Sequence, residues 1–261
     1  MNYFVITVFG VILGSFVNVV AYRIPIGKPI VNDRSQCRNC KSQIAWYDLI
    51  PVISFIILGA HCRKCHDKIS WVYPLVEVSS GLIFLASYYY FQSSGLISLF
   101  FTVFILEILL TLFVTDLTYL ILPDIIILTG VIGVVAYGVL EKINIIPVNH
   151  DILSVSHLVS AFSFSAVLYV FWLVSKGTWI GLGDAKLIGM IGLVFGYIGT
   201  IYILYLGVAL GGIIGLFLLL FAKADRKTKL PLGSFICLSA VVYIFTSLSL
   251  AQRLGLELIF R

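Results

Sequence analysis

Asp116 and Asp184 are the residues of this chain best suited to acid–base chemistry. Asp184 lies in Gly181-Leu182-Gly183-Asp184-Ala185-Lys186, where a loop turns into an apolar helix. Asp116 ends another apolar run in Thr115-Asp116-Leu117-Thr118. An ionisable residue at a membrane boundary is costly to keep, so it is a functional candidate by default. Two carboxylates on separate helices can share one proton, activate a water and polarise a carbonyl, which is the chemistry of amide hydrolysis. Gly181 and Gly183 lack side chains, so an extended peptide can come close to Asp184, and they are the expected substrate-binding positions. Asp124, after Pro123, reads more simply as a first-turn acid favoured by its helix dipole. Asp116 has no such reading, because it closes a helix, where the dipole opposes a negative charge.

A second constellation is Cys37-Arg38-Asn39-Cys40 with Cys62-Arg63-Lys64-Cys65. Residues 41–61 separate the pairs, slightly beyond the usual spacing of paired zinc knuckles. Each pair can put two thiolates on one ion, and two pairs complete a closed tetrahedral structural site for Zn2+. Zinc there would staple a polar loop with little core of its own. The competing reading is a redox dithiol or disulfides. A reducing, cytoplasmic loop disfavours stable disulfides, and a thioredoxin-like site needs only one pair. His61 and His66 flank the second pair as alternative ligands. Cys237, inside an apolar helix, reads as a small core residue.

These residues need a membrane scaffold to hold them. The 261-residue chain is 61% hydrophobic and 11% charged, against roughly a quarter charged for soluble domains. The expected class is all-α, a polytopic membrane protein of about eight transmembrane helices with a cytoplasmic zinc-binding loop. The expected parts are a first transmembrane helix (1–22), the zinc-binding loop (23–71) and the remaining transmembrane bundle (72–261). Within the bundle, spans are expected at 72–91, 96–115, 123–140, 156–175, 184–197, 200–222 and 232–251. The apolar stretch 49–60 is too short to cross and reads as interfacial or re-entrant.

No positive charge precedes the first apolar run and Arg23 follows it, which argues against a cleavable signal and for an outside amino terminus. Of the 17 Lys and Arg, only Lys142, Arg253 and Arg261 then fall outside. The same topology puts Asp116 and Asp184 at one cytoplasmic level. Basic residues thus report orientation, and no basic patch with interleaved aromatics points to nucleic acid as a partner. Gly207, Gly211 and Gly215 read as a close-packing face. Ser15 and Asn18 should face protein, Glu77 and Glu107 read as structural acids in the bundle, and Lys186 either snorkels or tunes Asp184. His150 and His157 fall on the outside, away from the pair.

Taken in order, these residues resemble the type IV prepilin peptidases over nearly the whole chain. The resemblance is carried by Gly14-Ser15-Phe16-Val17-Asn18-Val19-Val20, Arg23-Ile24-Pro25, both cysteine pairs and Trp46-Tyr47-Asp48-Leu49-Ile50-Pro51. It continues through Tyr73-Pro74-Leu75-Val76-Glu77, Asp116 to Pro123-Asp124, Gly-x-Gly-Asp at Asp184, and Leu230-Pro231-Leu232-Gly233. It implies a multi-pass aspartic endopeptidase of the bacterial inner or plasma membrane that removes basic leaders from prepilin-like precursors at the cytoplasmic face. Asp116 and Asp184 match the catalytic pair, and the four cysteines match the zinc-binding loop. Similar enzymes often also methylate the new amino terminus with S-adenosylmethionine. The loop between Pro25 and Cys37 is short compared with many members. Where some bifunctional members carry Gly-Lys before Tyr-Pro-Leu-Val-Glu, this chain has Ser70-Trp71-Val72, so a peptidase without methyl transfer is the first alternative. A transporter carrying protons on the two Asp is a more remote one, as is a scaffold that needs neither carboxylate.

Overall fold

The computed structural model describes residues 2–31, 34–146, 151–221 and 230–254. Apolar segments of this length become helices because the hydrocarbon region offers no other partner for backbone N–H and C=O groups. The described residues form eight α-helices and no named strand: α1 (Tyr3–Arg23), α2 (Ile53–Ile57), α3 (Val72–Phe91), α4 (Leu96–Tyr119), α5 (Asp124–Lys142), α6 (Val155–Ser175), α7 (Leu182–Phe221) and α8 (Leu232–Leu254). By length and composition α1, α4, α5, α6 and α7 can cross a membrane, and α8 contains the shorter apolar stretch Leu232–Ser247. The expected count of eight spans approximates this arrangement. The segments expected at 184–197 and 200–222 follow one another within α7 as two helical stretches that meet at a break at Gly196. His150, Lys223, Arg226, Lys227, Lys229 and Arg261 lie outside the described residues.

Two compact units divide within α4, Met1–Thr111 and Leu112–Arg261. In the first, α1 packs along α3. Glycines bring the two backbones together: a Cβ on Gly14 would lie 2.7 Å from the Glu77 Cα, and one on Gly81 would lie 2.6 Å from Val11. Such approach suits lipid, where small residues and polar links replace the hydrophobic drive. The Ser80 hydroxyl, fully buried, is shared between the Gly10 carbonyl (2.7 Å) and Glu107 (2.8 Å). Asn18 is buried as expected and donates to the Tyr73 carbonyl at 3.0 Å.

Between α1 and α3 the chain forms the cysteine loop and then an unusual corner. Val52 has φ 61 and ψ −50, and the Ile53 N–H bonds the Pro51 carbonyl at 2.6 Å. This is a γ-turn with positive φ, strained for a β-branched residue. The Val52 N–H itself donates to the Glu77 carboxylate at 2.8 Å. Glu77 is thus structural, and what it holds is the corner that aims α2.

In the second unit, α7 packs against α5, α6 and α8. At Gly196 the backbone takes φ 64 and ψ −167, a combination open essentially only to glycine. Polar groups of α6 meet the break. His157 Nδ1 donates to the Leu193 carbonyl at 2.8 Å. Thr200 donates to the Gly196 carbonyl at 2.6 Å and accepts from Ser160 at 3.0 Å. Beyond the break, Gly207 and Gly211 lie close to Ile236 and Phe235 of α8, while Gly212 faces open space.

Candidate functional site

Both aspartates belong to the second unit, and each is held by the start of a helix. Residues Asp116 to Tyr119 form the last turn of α4, so Asp116 is not the final residue of its helix. Leu120 then takes a left-handed conformation, φ 55, and ends the helix. The pull against the α4 dipole is answered from elsewhere. Asp116 Oδ2 accepts the Ser234 backbone N–H at 2.6 Å and the Ser234 hydroxyl at 3.0 Å. Ser234 is in the first turn of α8, where N–H groups have no partner within their own helix. Asp116 therefore supplies an acceptor to the N-terminus of another helix, where negative charge is favoured. The same hydroxyl is shared with the Phe113 carbonyl at 3.1 Å.

Asp184 stands in the first turn of α7, and its Oδ2 accepts the Gly181 N–H at 3.1 Å. Asp116 and Asp184 are 6% and 8% exposed, so both are largely withdrawn from water yet not sealed. Gly233 lies between them. A Cβ there would be 3.1 Å from Asp116 Oδ2, 3.2 Å from Asp184 Oδ1 and 2.7 Å from Leu122. The two carboxylates therefore flank one point, and any side chain at 233 would press on both. Gly183 packs on Leu122, whereas a Cβ on Gly181 would meet only Asp184 and the Gly183 backbone N.

Lys186 does not reach for Asp184. Its ammonium lies 2.7 Å from both carboxylate oxygens of Asp124, joining the starts of α5 and α7 by a partly solvated pair. Cys237, one turn after Gly233, is fully buried. Sequence reasoning overlooked Ser234. Its usable signal was the order Pro231, Leu232, Gly233, Ser234, a proline and a small polar residue opening an apolar helix.

The cysteine loop belongs to the first unit. One sulfur from each of Cys37, Cys40, Cys62 and Cys65 lies within 4.8 Å of the others, and Cys37 and Cys65 are 3.7 Å apart. Ligand bonds of about 2.3 Å in a tetrahedron give sulfur–sulfur edges of about 3.8 Å, so the cluster fits a zinc-sized ion. The two pairs are built alike. Lys41 N–H returns to the Cys37 carbonyl and His66 N–H to the Cys62 carbonyl, with Lys41 and His66 both left-handed. Short bridges Gln36–Gln43 and His61–Lys68 close each turn. The Ser42 hydroxyl and amide draw the Cys40 thiol down to about 6. His61 turns its ring to the Gly59 carbonyl, and the cluster is made of the four sulfurs.

Surrounding groups fix the loop. The Arg38 guanidinium lies 4.0 Å over the Tyr22 ring and 5.3 Å over Tyr73. Arg63 makes a two-pronged pair with Asp48, at 2.9 and 2.6 Å, and these hydrogen bonds, with its charge, hold the Asp48 carboxyl below the usual range.

Two family models match the chain. One describes the bacterial peptidase A24 N-terminal domain and covers residues 8–91; the other describes the type IV leader peptidase family and covers residues 103–216. A prepilin leader peptidase/N-methyltransferase of Vibrio cholerae is 32% identical over 94% of this chain and 98% of its own length. Proteins of the same name from Legionella pneumophila and Myxococcus xanthus are 27% and 32% identical, over 93% and 85% of this chain. The alignments span 91% of the Legionella protein and 65% of the Myxococcus protein. No solved structure matches the chain significantly.

Proposed function

Because this chain belongs to the type IV leader peptidase family, we propose that it is a prepilin leader peptidase whose catalytic pair is Asp116 and Asp184. The observation that carries the reading is the pair's placement on either side of Gly233. In the proposed reaction one carboxylate takes a proton from water, and the hydroxide adds to the scissile carbonyl carbon. The other, protonated, hydrogen-bonds the carbonyl oxygen as it becomes anionic. Collapse of the tetrahedral intermediate breaks the C–N bond, and the departing amine takes a proton from the pair. Asp116 Oδ2 already accepts two donors and Asp184 Oδ2 accepts one. The oxygens facing the shared point at Gly233 are Asp116 Oδ2 and Asp184 Oδ1, and on this reading the exchanged proton belongs to the pair. Titration belongs to the pair, in two separated steps. Gly181, where a Cβ would press on the Asp184 carboxylate, is the proposed position for close approach of the extended scissile segment, while Gly183 is taken up by its packing on Leu122.

The substrates on this reading are type IV prepilin-like precursors, cut at the cytoplasmic face of the bacterial inner or plasma membrane. The distribution of Lys and Arg along the chain supports that side. The partners are precursor and membrane lipid, with no nucleic acid. The four cysteines would hold Zn2+, which supplies a structural cross-link to the 23–71 loop and takes no part in bond cleavage. The relatives' shared name includes N-methyltransferase, so methylation with S-adenosylmethionine is proposed as a second activity, with no residue assigned to it.

The test is incubation of the purified protein in detergent with a precursor, followed by mass spectrometry of the product. Release of the leader by the wild type and none by Asp116→Asn or Asp184→Asn is the expected result. Substantial processing by either well-expressed variant overturns the assignment.

A further inference from the structure

The first unit carries an apolar groove that the peptidase reading does not use. Val52, Phe55 and Ile56 form one wall, and Trp71, Leu75 and Val78 of the α3 side form the other, around a cavity of about 480 Å³. Phe55 and Trp71 meet edge to face across it, with ring centroids 4.8 Å apart. The corner held by Glu77 fixes the angle at which α2 leaves for this position.

Three observations identify what fills it. First, the groove-lining residues Leu75 and Val78 belong to an exposed apolar stripe of α3. Leu75, Val78 and Leu82, at about one-turn intervals along α3, are all exposed, and an apolar stripe on a helix of a membrane protein meets acyl chains. Second, α2 turns Ile53, Ile56 and Ile57 outward, with Ile56 and Ile57 at 70% and 72% exposure. Trp46 and Trp71 flank it, exposed as well. Tryptophan beside a short apolar helix is the composition of the membrane–water boundary. Third, the loop leaving the groove is basic. Gly59 and Ala60 line it and lead directly into Cys62-Arg63-Lys64-Cys65. Across 34–71 the chain holds Arg34, Arg38, Lys41, Arg63, Lys64 and Lys68 against Asp48 and Asp67. Arg63 is matched by Asp48, which leaves the exposed Lys64 and Lys68, with Asp67 between them, on the segment that follows the groove-lining Gly59 and Ala60.

We propose that this groove holds an acyl chain of an anionic phospholipid, with α2 lying at the membrane surface and Lys64 and Lys68 on the headgroup. The cysteine loop is thereby moored to the bilayer through α2 as well as through α1 and α3. A basic prepilin leader is a poor occupant, because it would meet like charge.

The experiment uses the full-length, zinc-loaded chain in vesicles of phosphatidylglycerol and phosphatidylcholine, with dibrominated chains on one lipid or on the other. Trp71 is read as the difference between wild type and Trp71→Phe. A chain carrying Trp46→Phe, Trp172→Phe and Trp179→Phe reads it directly, so failure of either variant to fold leaves the other. Trp71 emission is expected to be quenched in both mixtures, and more strongly when phosphatidylglycerol is brominated. One lysine–headgroup contact enriches an anionic lipid by about fivefold. Lys64→Gln with Lys68→Gln should erase the difference between mixtures while leaving quenching itself. No quenching of Trp71 overturns the proposal, because the groove then faces water or protein. Equal quenching in both mixtures removes the anionic headgroup. Loss of quenching on adding precursor, or on raising the protein-to-lipid ratio, reassigns the groove to the substrate helix or to a second copy.

Discussion

At the scale of single residues, the site depends on two carboxylates and the donors that hold them. On the proposed mechanism, either Asp116→Asn or Asp184→Asn should lower kcat by at least about a hundredfold, with the protein still inserted. Ser234 makes a finer test. Ser234→Ala keeps the backbone N–H on Asp116 Oδ2 and deletes only the hydroxyl. Loss of one hydrogen bond to a charged group is worth about 1.5–3 kcal/mol. We expect kcat to fall about tenfold or more with KM little changed and thermal stability lowered by no more than the hydroxyl's own hydrogen bonds, measured by cleavage of a precursor peptide and by thermal unfolding. A rise in KM with kcat preserved would make Ser234 a packing residue. Both aspartates were legible because a carboxylate in an apolar run is rare and has few idle explanations. Ser234 was not, because a serine near a membrane helix start is ordinary, and its partner is 118 positions away. For the same reason the Asp116 reading was incomplete: its own helix dipole opposes it, and the compensating helix end is distant in sequence.

Secondary-structure elements are positioned by glycine in lipid and by the cysteine cluster outside it. Gly14→Ala would drive a Cβ to 2.7 Å from the Glu77 backbone, where no flexible side chain can yield. Overpacking of this kind costs about 1–3 kcal/mol. Gly212→Ala, with nothing within 4 Å, should leave stability unchanged, and thermal unfolding in detergent compares the two. In the loop, Cys37→Ser or Cys62→Ser should weaken zinc binding by more than about a hundredfold and lower the unfolding temperature, with the chemical step of the folded fraction preserved. Full zinc loading of either variant would count against the tetrahedral site. Acid should loosen the same loop. The Asp48 carboxyl is held below its ordinary value by Arg63, so its contribution is complete above the unfolded value of about 4 and fades as pH falls through the lower folded one. Spacing alone revealed the two cysteine pairs. Their shared turn geometry and the Arg38–Tyr22 contact were hidden, since left-handed backbone at Lys41 and His66 leaves no signature in residue type. Hydropathy likewise marked two apolar segments near 198, but the break is set one residue earlier than the expected helix end, by the positive φ that Gly196 alone there can adopt without strain.

At the scale of the whole molecule, one chain performing two reactions is distinguished from one performing a single reaction by the mass of the product. Wild-type enzyme with precursor and S-adenosylmethionine should give a product lacking the leader and carrying one added methyl group. Without S-adenosylmethionine the same cleavage should yield a free amine, because hydrolysis by a pair of carboxylates needs only water. The discriminating sample is Asp116→Asn given a substrate whose leader has already been removed. If methyl transfer has its own site, this variant should methylate that substrate at nearly the wild-type rate while cleaving no precursor. Methylation lost together with cleavage would mean that the two reactions share the aspartates. Cleavage without methylation in any sample would leave the peptidase alone, consistent with Ser70-Trp71-Val72 standing before the Tyr73–Glu77 motif.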